Sequence, residues 1–566
     1  MQEFNRRGFL GALGKGAVGL ALAGAGRCSP PHHPLSAWVR ANDQSLASLM
    51  DRIGEVRGGP FRGAVPNRDG LFVPMSTALF LQYATSAYVS TASRYFEAPR
   101  VEACMAEAAQ ALRRMQHRDG SIDLPTTNFH SPPDTAFVVE PLALSLHLLQ
   151  RHGAPEKVRQ PIEAFLEQAE KPLLEGGIHT PNHRWVVCMA LAHLYRLSPR
   201  PDHLRRIDQW LAEGIDIDRD GQYDERSVAI YSPLTDRCLI TLARLLGRPE
   251  LLDPVRRNLE STLYFFHPDG SLATEGSRRQ DQFQRQYAQA YYYPYAFMAA
   301  REGNPRFAAA ADRIAQTAGV DRLKRYLIHF QEERDLLPNL PRPGKMPQHY
   351  VRHFAEADML RIRRGAIDAT FVAHNPVFLS MRRGSCTLQA VRLASAFFGK
   401  GQFEGEALQV DGQRFRQTQA LEGPYYQPLD SVQYELLKSR PWEESRKARP
   451  QSEVQQQEAS VELRETATGF ELDIAVRGTD GVPVALELAF GDKGYLSGVR
   501  KLAGGRGFLL PDGQYGAFHA GSDIIRFGPG QVAHQWTRLR GALPPLEGNT
   551  VYLTGYSPLR MKLQLM

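Results

Sequence analysis

Two short stretches of the sequence concentrate side chains that bind anions and move protons. The first is His179-Thr-Pro-Asn182-His183-Arg184-Trp185, a polar cluster directly ahead of an apolar helical pattern. Asn182 after a proline reads as a helix start, with Asn182 as the N-cap. A helix N-terminus also presents free N–H groups and partial positive charge, where an anion can bind. The second stretch, Asp220-Gly-Gln-Tyr223-Asp-Glu225-Arg226-Ser227-Val-Ala-Ile-Tyr231-Ser-Pro233, puts Tyr231 at another helix start. A tyrosine there is commonly a packing residue with its hydroxyl in water. The neighbouring Asp224, Glu225 and Arg226 instead favour an active-site wall.

Further clusters flank these two. Thr274-Glu275-Gly-Ser277-Arg278-Arg279-Gln280-Asp281 precedes an apolar helical pattern, and Arg278 and Arg279 suit bidentate carboxylate binding or a surface ion-pair cluster. Asn128-Phe-His130-Ser-Pro-Pro-Asp134-Thr135 precedes the helix from Ala136, where Asp134 is an N-cap or a substrate ligand. Tyr287 and Tyr291 to Tyr293 form a sugar-stacking wall or, at helical spacing, core. His349, His353 and Asp358 lack the tight ligand spacing of a metal site. Cys28, Cys104, Cys188, Cys238 and Cys386 show no CxxC or CxxH spacing and read as free thiols. Neither metal nor organic cofactor is called for.

The elements that position these residues follow from periodicity. From about Leu35 to about Gln331, apolar residues recur at three- and four-residue steps, as in Val101–Met115, Ala136–Leu149, Trp185–Leu197, Leu239–Leu246 and Ala288–Ala300. The pattern suggests about twelve helices in six hairpins. Polar clusters opening a helix fall at Asp134, Asn182, Tyr231 and about Gln282, at intervals of 48, 49 and 51 residues. A period in that range marks a repeated supersecondary unit. Three of the linking loops carry an Asp-Gly turn, at Asp119-Gly120, Asp220-Gly221 and Asp269-Gly270, which predicts small β-hairpins on one rim. Helix entrances at Asp134, Asn182, Tyr231 and Asp281 should therefore face one cavity.

A second domain follows. Residues 336–348 read LLPNLPRPGKMPQ, whose four prolines cannot sustain a helix and mark a linker. Beyond it, alternation at Asp368–His374, Val377–Met381, Ser460–Arg464, Phe470–Ile474 and Val484–Leu488 predicts short strands. The charged, Gln-rich stretch Ser439–Glu458 reads as a solvated loop. The fold class is therefore α+β multidomain: a toroid of helix hairpins over 35–335, the linker, and an antiparallel β-sandwich over 349–566.

The Asn182-His183 pair opening one helix, with DG-x-x-x-E-x-S-x-x-x-Y ending at Tyr231 about fifty residues on, resembles the heparinase II/III-like and alginate-lyase-like polysaccharide lyases. These combine an (α/α)6-type toroid with a β-sandwich. The resemblance implies that Asn182 and His183 neutralise a uronate carboxylate and that Tyr231, with His183, moves the protons. Asp134, Glu225, Arg226, Arg278 and Arg279 would line the substrate, with His374 contributed by the sandwich alongside His349 and His353 as candidates. Neutralising the carboxylate, with the Asn182 amide and a protonated His183, stabilises charge that develops when the C5 proton leaves. A phenol of pKa ~10 needs cationic neighbours to act as a base, and Arg226, Arg278 and Arg279 are available.

Two other functions fit the same residues. A glycoside hydrolase of the glucuronidase or unsaturated-glucuronyl hydrolase type needs a carboxyl pair flanking the bond, for which Asp134, Asp224, Glu225, Glu275 and Asp281 are candidates. A non-catalytic glycan-binding protein would use the rim without turnover. The partner in each case is a uronate-containing oligo- or polysaccharide, and a homodimer stays open.

Composition excludes other classes. Hydrophobic residues at 43% and charged residues at 23% fit a globular chain rather than a disordered or collagen-like one. The net charge of +7 suits a polyanion, but no Lys/Arg run concentrates it as nucleic-acid binding requires. Asn5-Arg6-Arg7-Gly8-Phe9-Leu10, a Gly/Ala/Leu-rich stretch and Ala23-Gly24-Ala25 resemble a twin-arginine signal within residues 1–28. Arg27 before Cys28 departs from a lipoprotein site. No later stretch reaches the ~20 apolar residues of a membrane span, so a periplasmic or secreted protein is expected.

Overall fold

The computed structural model describes residues 34–55, 58–503, 507–546 and 548–566. The expected export signal and Cys28 lie outside the described residues. The chain divides into a helical unit, running to Phe266 and again over Gly270–Met346, and a β unit of Pro347–Met566 with His267–Asp269.

In the helical unit, α1 (Pro34–Glu55) precedes five successive pairs: α2 (Pro74–Tyr88) with α3 (Pro99–Met115), α4 (Pro132–His152) with α5 (Glu156–Glu175), α6 (Pro181–Leu197) with α7 (Pro201–Leu211), α8 (Tyr231–Leu246) with α9 (Leu252–Thr262), and α10 (Tyr292–Glu302) with α11 (Pro305–Ala318). The first members pack side by side in the order α2, α4, α6, α8, α10, while α3, α5 and α7 form an outer layer. The short helices Val320–Leu323 and Leu327–Glu332, with α1, bridge from α11 back to α2. This is an α/α toroid of five regular hairpins and an irregular closing segment, rather than six equal ones.

Sequence determines which layer a helix joins. Outer α3 buries Val101, Met105, Ala108, Ala109, Ala111 and Leu112, one stripe of an amphipathic helix. Inner α6 buries every residue from Trp185 to Leu194 because it is covered on all sides. Proline at the first position starts α2, α3, α4, α6, α7 and α11, where its missing N–H costs nothing. The inner helices α4, α8 and α10 stop at left-handed glycines, Gly153, Gly247 and Gly303.

The Asp-Gly turns anchor the loops. Gly120, Gly221 and Gly270 adopt φ of 89°, 80° and 82°. A Cβ on them would fall 1.9 Å from the Gln168 carbonyl oxygen on α5, 2.6 Å from that of Arg257 on α9 and 2.6 Å from Thr317 Cγ2 on α11. The first opens the hairpin β1 (Ile122–Leu124) with β2 (Asn128–Ser131), and the third the pair β3 (Ser271–Leu272) with β4 (Gln286–Tyr287).

The β unit is a sandwich of two sheets. One contains His349–Phe354, Met359–Arg364, Ile367–Val372, Leu379–Arg383, Cys386–Ser395, Pro483–Phe490 and Asn549–Tyr556. The other contains Arg414–Tyr426, Gln451–Glu465, Phe470–Gly478, Leu559–Leu565, Asp523–Gly528 and Gly516–Ala520. Among the described strands pairing is antiparallel apart from Phe508–Leu509, which runs parallel to Asn549–Tyr556, and isolated parallel bridges join Asp512 to Gly530 and Val532 to Thr554. Alternate residues of each strand, such as Phe470, Leu472, Ile474 and Val476, enter one shared core with Leu360, Val391, Leu486 and Leu553. Residues 439–458 are not a loop: Trp442–Lys447 is helical and Gln451–Glu465 pairs along Arg414–Tyr426. Its first half is mostly exposed, and inward alternation begins only at Gln457.

Candidate active site

The cluster at the N-terminal ends of α6 and α8 lies wholly in the helical unit. Pro181 opens α6 and Thr180 holds the N-cap position without a side-chain cap, so Asn182 is not the N-cap. Asn182 sits in the first turn, 2% exposed. Its Nδ2 donates to Glu225 Oε2 at 2.6 Å and to Thr180 Oγ1 at 3.1 Å. Its Oδ1 is buried without a hydrogen-bond partner among the described residues.

Glu225 is buried, and burial pushes its carboxyl above the ordinary value, opposed by the Asn182 hydrogen bond and the Arg279 charge. Arg279 Nε lies 3.7 Å from Glu225 Oε1, and its guanidinium sits 5.4 Å from the centre of the Tyr231 ring. Gln280 Nε2 donates to the Tyr231 hydroxyl at 2.8 Å. Asn182, Glu225, Arg279 and Tyr231 thus form one contiguous chain of contacts that joins the starts of α6 and α8 through the loops preceding α8 and α10.

His183 departs from expectation. Its ring lies between Phe137 of α4, at 6.1 Å, and His179, at 4.8 Å. Burial, followed by the charges of His179 and Arg279, lowers its pKa to about 4. The imidazole is therefore neutral at pH 7 and does not supply the positive charge expected of it. A buried ring beside an arginine cannot hold a second cation cheaply.

Tyr231 begins α8, and a buried carboxylate fixes that start. Asp281 accepts from Ser227 Oγ at 3.0 Å, from the Ala229 N–H at 3.0 Å and from Ser277 Oγ at 3.1 Å. Ser227 Oγ in turn accepts from the Tyr231 N–H at 3.3 Å. Asp281 thus clamps the loop that delivers Tyr231. It does not open a helix, because α10 begins only at Tyr292. Below, the Tyr223 hydroxyl donates to the buried Asp236 at 2.8 Å.

The remaining predicted residues distribute as follows. Asp134 stands in the first turn of α4, where Ser131 is the N-cap; it accepts from Ser131 Oγ at 2.5 Å and Asn128 Nδ2 at 2.8 Å, and its N–H donates to Ser131 Oγ. Arg226, at φ 42°, pairs with Asp218 at 3.6 Å, and Arg278 is exposed. His374 belongs to the β unit, where Nε2 pairs with Asp358 at 3.0 Å. Tyr291, Tyr292 and Tyr293 are buried core residues, and Tyr287 is half-buried, so no tyrosine wall forms. Among the described residues no group of three or more His, Cys, Asp or Glu could hold a metal, and no helix is long and apolar enough to cross a membrane.

Sequence reasoning missed Thr180, Gln280 and the clamping role of Asp281. Gln280 and Asp281 lie in the cluster already singled out, but nothing in their spacing shows that they turn back onto the preceding loop.

No protein-family model matches the chain, and no curated protein matches it. Solved structures do. The chondroitin AC lyase of Streptomyces coelicolor A3, in complex with chondroitin sulphate, aligns over 96% of this chain and 80% of its own, at 16% identity and a TM-score of 0.56. A Paenibacillus xanthan lyase aligns over 94% of this chain at 10% identity and a TM-score of 0.55. This chain spans 56% of that enzyme's length. At such identities the likeness is one of fold, an α/α toroid followed by a β-sandwich.

Proposed function

We propose that the chain is a polysaccharide lyase that cleaves a uronate-containing glycan by β-elimination. The observation that carries this reading is the convergence of Asn182, Glu225, Arg279 and Tyr231 around the starts of α6 and α8. Its fold, shared with two polysaccharide lyases, supports it.

Asn182 and neutral His183 face the uronate carboxylate and stabilise, through hydrogen bonds, the charge that grows there as the C5–H bond breaks. Ionised Tyr231 takes the C5 proton, the C4–C5 double bond forms as the C4–O bond breaks, and the phenol returns the proton to the leaving oxygen. The Arg279 cation over the Tyr231 ring and the Gln280 hydrogen bond hold the phenol in place for both transfers.

A hydrolase reading is less well supported. Of its candidate carboxylates, Asp134 is engaged in capping α4 and Asp281 in clamping the Tyr231 loop. The export-like N-terminus extends the proposal to a periplasmic or secreted enzyme. Incubation with alginate, heparinoid, pectic and glucuronate-bearing glycans, followed by ultraviolet absorbance and product mass, tests the reading. A conjugated unsaturated uronate is expected; saturated products would indicate a hydrolase, and binding without product a glycan-binding protein.

A further inference from the structure

The Asn182 amide faces its site the wrong way round for an anion. Both N–H groups are committed, to Glu225 at 2.6 Å and to Thr180 at 3.1 Å, and the atom left over is a buried carbonyl oxygen with no partner among the described residues. A lone acceptor repels a carboxylate. A primary amide, however, occupies nearly the same space when turned over, with nitrogen and oxygen exchanged.

Turned over, the Asn182 oxygen would stand 2.6 Å from Glu225 Oε2, a contact two oxygens tolerate only with a proton between them. The Thr180 hydroxyl, now an acceptor, would rotate and donate to the same carbonyl. Both lone pairs of that carbonyl would then be filled. The amide's two N–H groups would point where the orphan oxygen points now.

The surroundings suit a carboxyl that changes protonation. Glu225 Oε1 is also buried without a hydrogen-bond partner among the described residues, and burial favours the neutral acid over the opposing hydrogen bonds from Asn182. The charged groups facing it are Arg279, at 3.7 Å, and Asp216, itself paired with Arg184 at 2.8 Å. Arg226, next in the chain, is paired with Asp218, and His183 on α6 is neutral at pH 7.

We propose that Glu225 is the specificity-determining residue for acidic sugars: binding of a uronate carboxylate takes up one proton onto Glu225 and turns the Asn182 amide over to receive the anion. The proton comes from solvent, so the charge at the site stays constant as the anion replaces the ionised Glu225. This inference rests on the reading of the cluster as a uronate site. It does not require turnover.

The test is calorimetry of D-glucuronate and D-glucose, which carry no bond to cleave, in buffers of different ionisation enthalpy across a pH series. Wild type should take up about one proton per glucuronate, with affinity rising up to tenfold per unit fall in pH, and none with glucose. Glu225→Gln, whose amide donates permanently to the Asn182 carbonyl, should bind glucuronate with that pH dependence lost. His183 titrates in both proteins and cannot account for the difference. Absence of proton uptake in wild type, an unchanged pH dependence in Glu225→Gln, or no preference of wild type for glucuronate would each overturn the proposal. Failure of the lyase reading alone would appear as proton-linked glucuronate binding without unsaturated product from any polymer.

Discussion

The Arg279 guanidinium lies 5.4 Å from the Tyr231 ring centre while its Nε stands 3.7 Å from Glu225, so one cation links the proposed proton-transfer group to the carboxylate that holds Asn182. Removing the Tyr231 hydroxyl leaves this ring contact in place. Tyr231→Phe should therefore lower turnover by roughly 10²–10⁴, the usual contribution of a positioned acid–base group, with substrate affinity retained. The rate of unsaturated product formation against a binding isotherm measures both, and full activity in the purified variant would remove Tyr231 from the mechanism.

Asn182→Ala should depress the rate more than the affinity, by roughly 10²–10³, because in the proposed mechanism its hydrogen bond strengthens as charge accumulates on the substrate. Steady-state kinetics separating kcat from KM decide this. A rise in KM alone would make Asn182 a binding residue only.

Asp281 separates a structural carboxylate from a chemical one. Replacing it by alanine leaves the Ser227, Ala229 and Ser277 donors buried and unpaired, and should cost about 3 kcal/mol or more. Asp281→Asn keeps one acceptor oxygen and should retain much of the activity at reduced stability. Urea denaturation and product formation on the same samples check this; a folded but inactive Asp281→Asn would favour a hydrolase.

Acid should weaken the helical unit through its buried histidines. His329, held at about 3 by burial and the Arg237 charge, is neutral when folded but protonates near 6.5 when unfolded. The unfolded chain therefore binds more protons, and this contribution to stability is lost as pH falls from 6.5 toward 3. Glu332, held at about 2 chiefly by Arg244 and Arg196 against its burial, adds a loss of the same sign below 4.5. In His329→Phe the slope of unfolding free energy against pH should fall by about 1.4 kcal/mol per unit across the upper window. An unchanged slope would show that another group controls it.

Export can be tested apart from the fold. Lysine at both Arg6 and Arg7 should leave precursor in the cytoplasm if the twin-arginine route is used. Unaffected secretion would count against that route.

Period and polarity carried the architecture. Apolar spacing marked the helices, and the near-fifty-residue interval pointed to Asn182 and Tyr231 as rim residues. The interval misled at its fourth member, because Asp281 turns back to clamp Ser227 and Ala229 and α10 begins only at Tyr292. Protonation was not legible at all: His183 is neutral because of what covers it, and coverage by Phe137 is a property of packing between α4 and α6. Nor does the order of residues reveal that Asn182 spends both donors on Thr180 and Glu225.

The glycines at positions 120, 221 and 270 are each seated against an outer helix at the root of a rim loop. Such a root works as a hinge pin that isolates the scaffold from what grows above it. Beyond Gly221 and Gly270, the Asp281 contacts to Ser227 and Ala229 join the two loops at the start of α8, so these two loops must be exchanged as a pair. A pair transplanted with the Asp281–Ser227 contact kept should leave the helices beneath folded as before, which makes the two loops one unit for grafting.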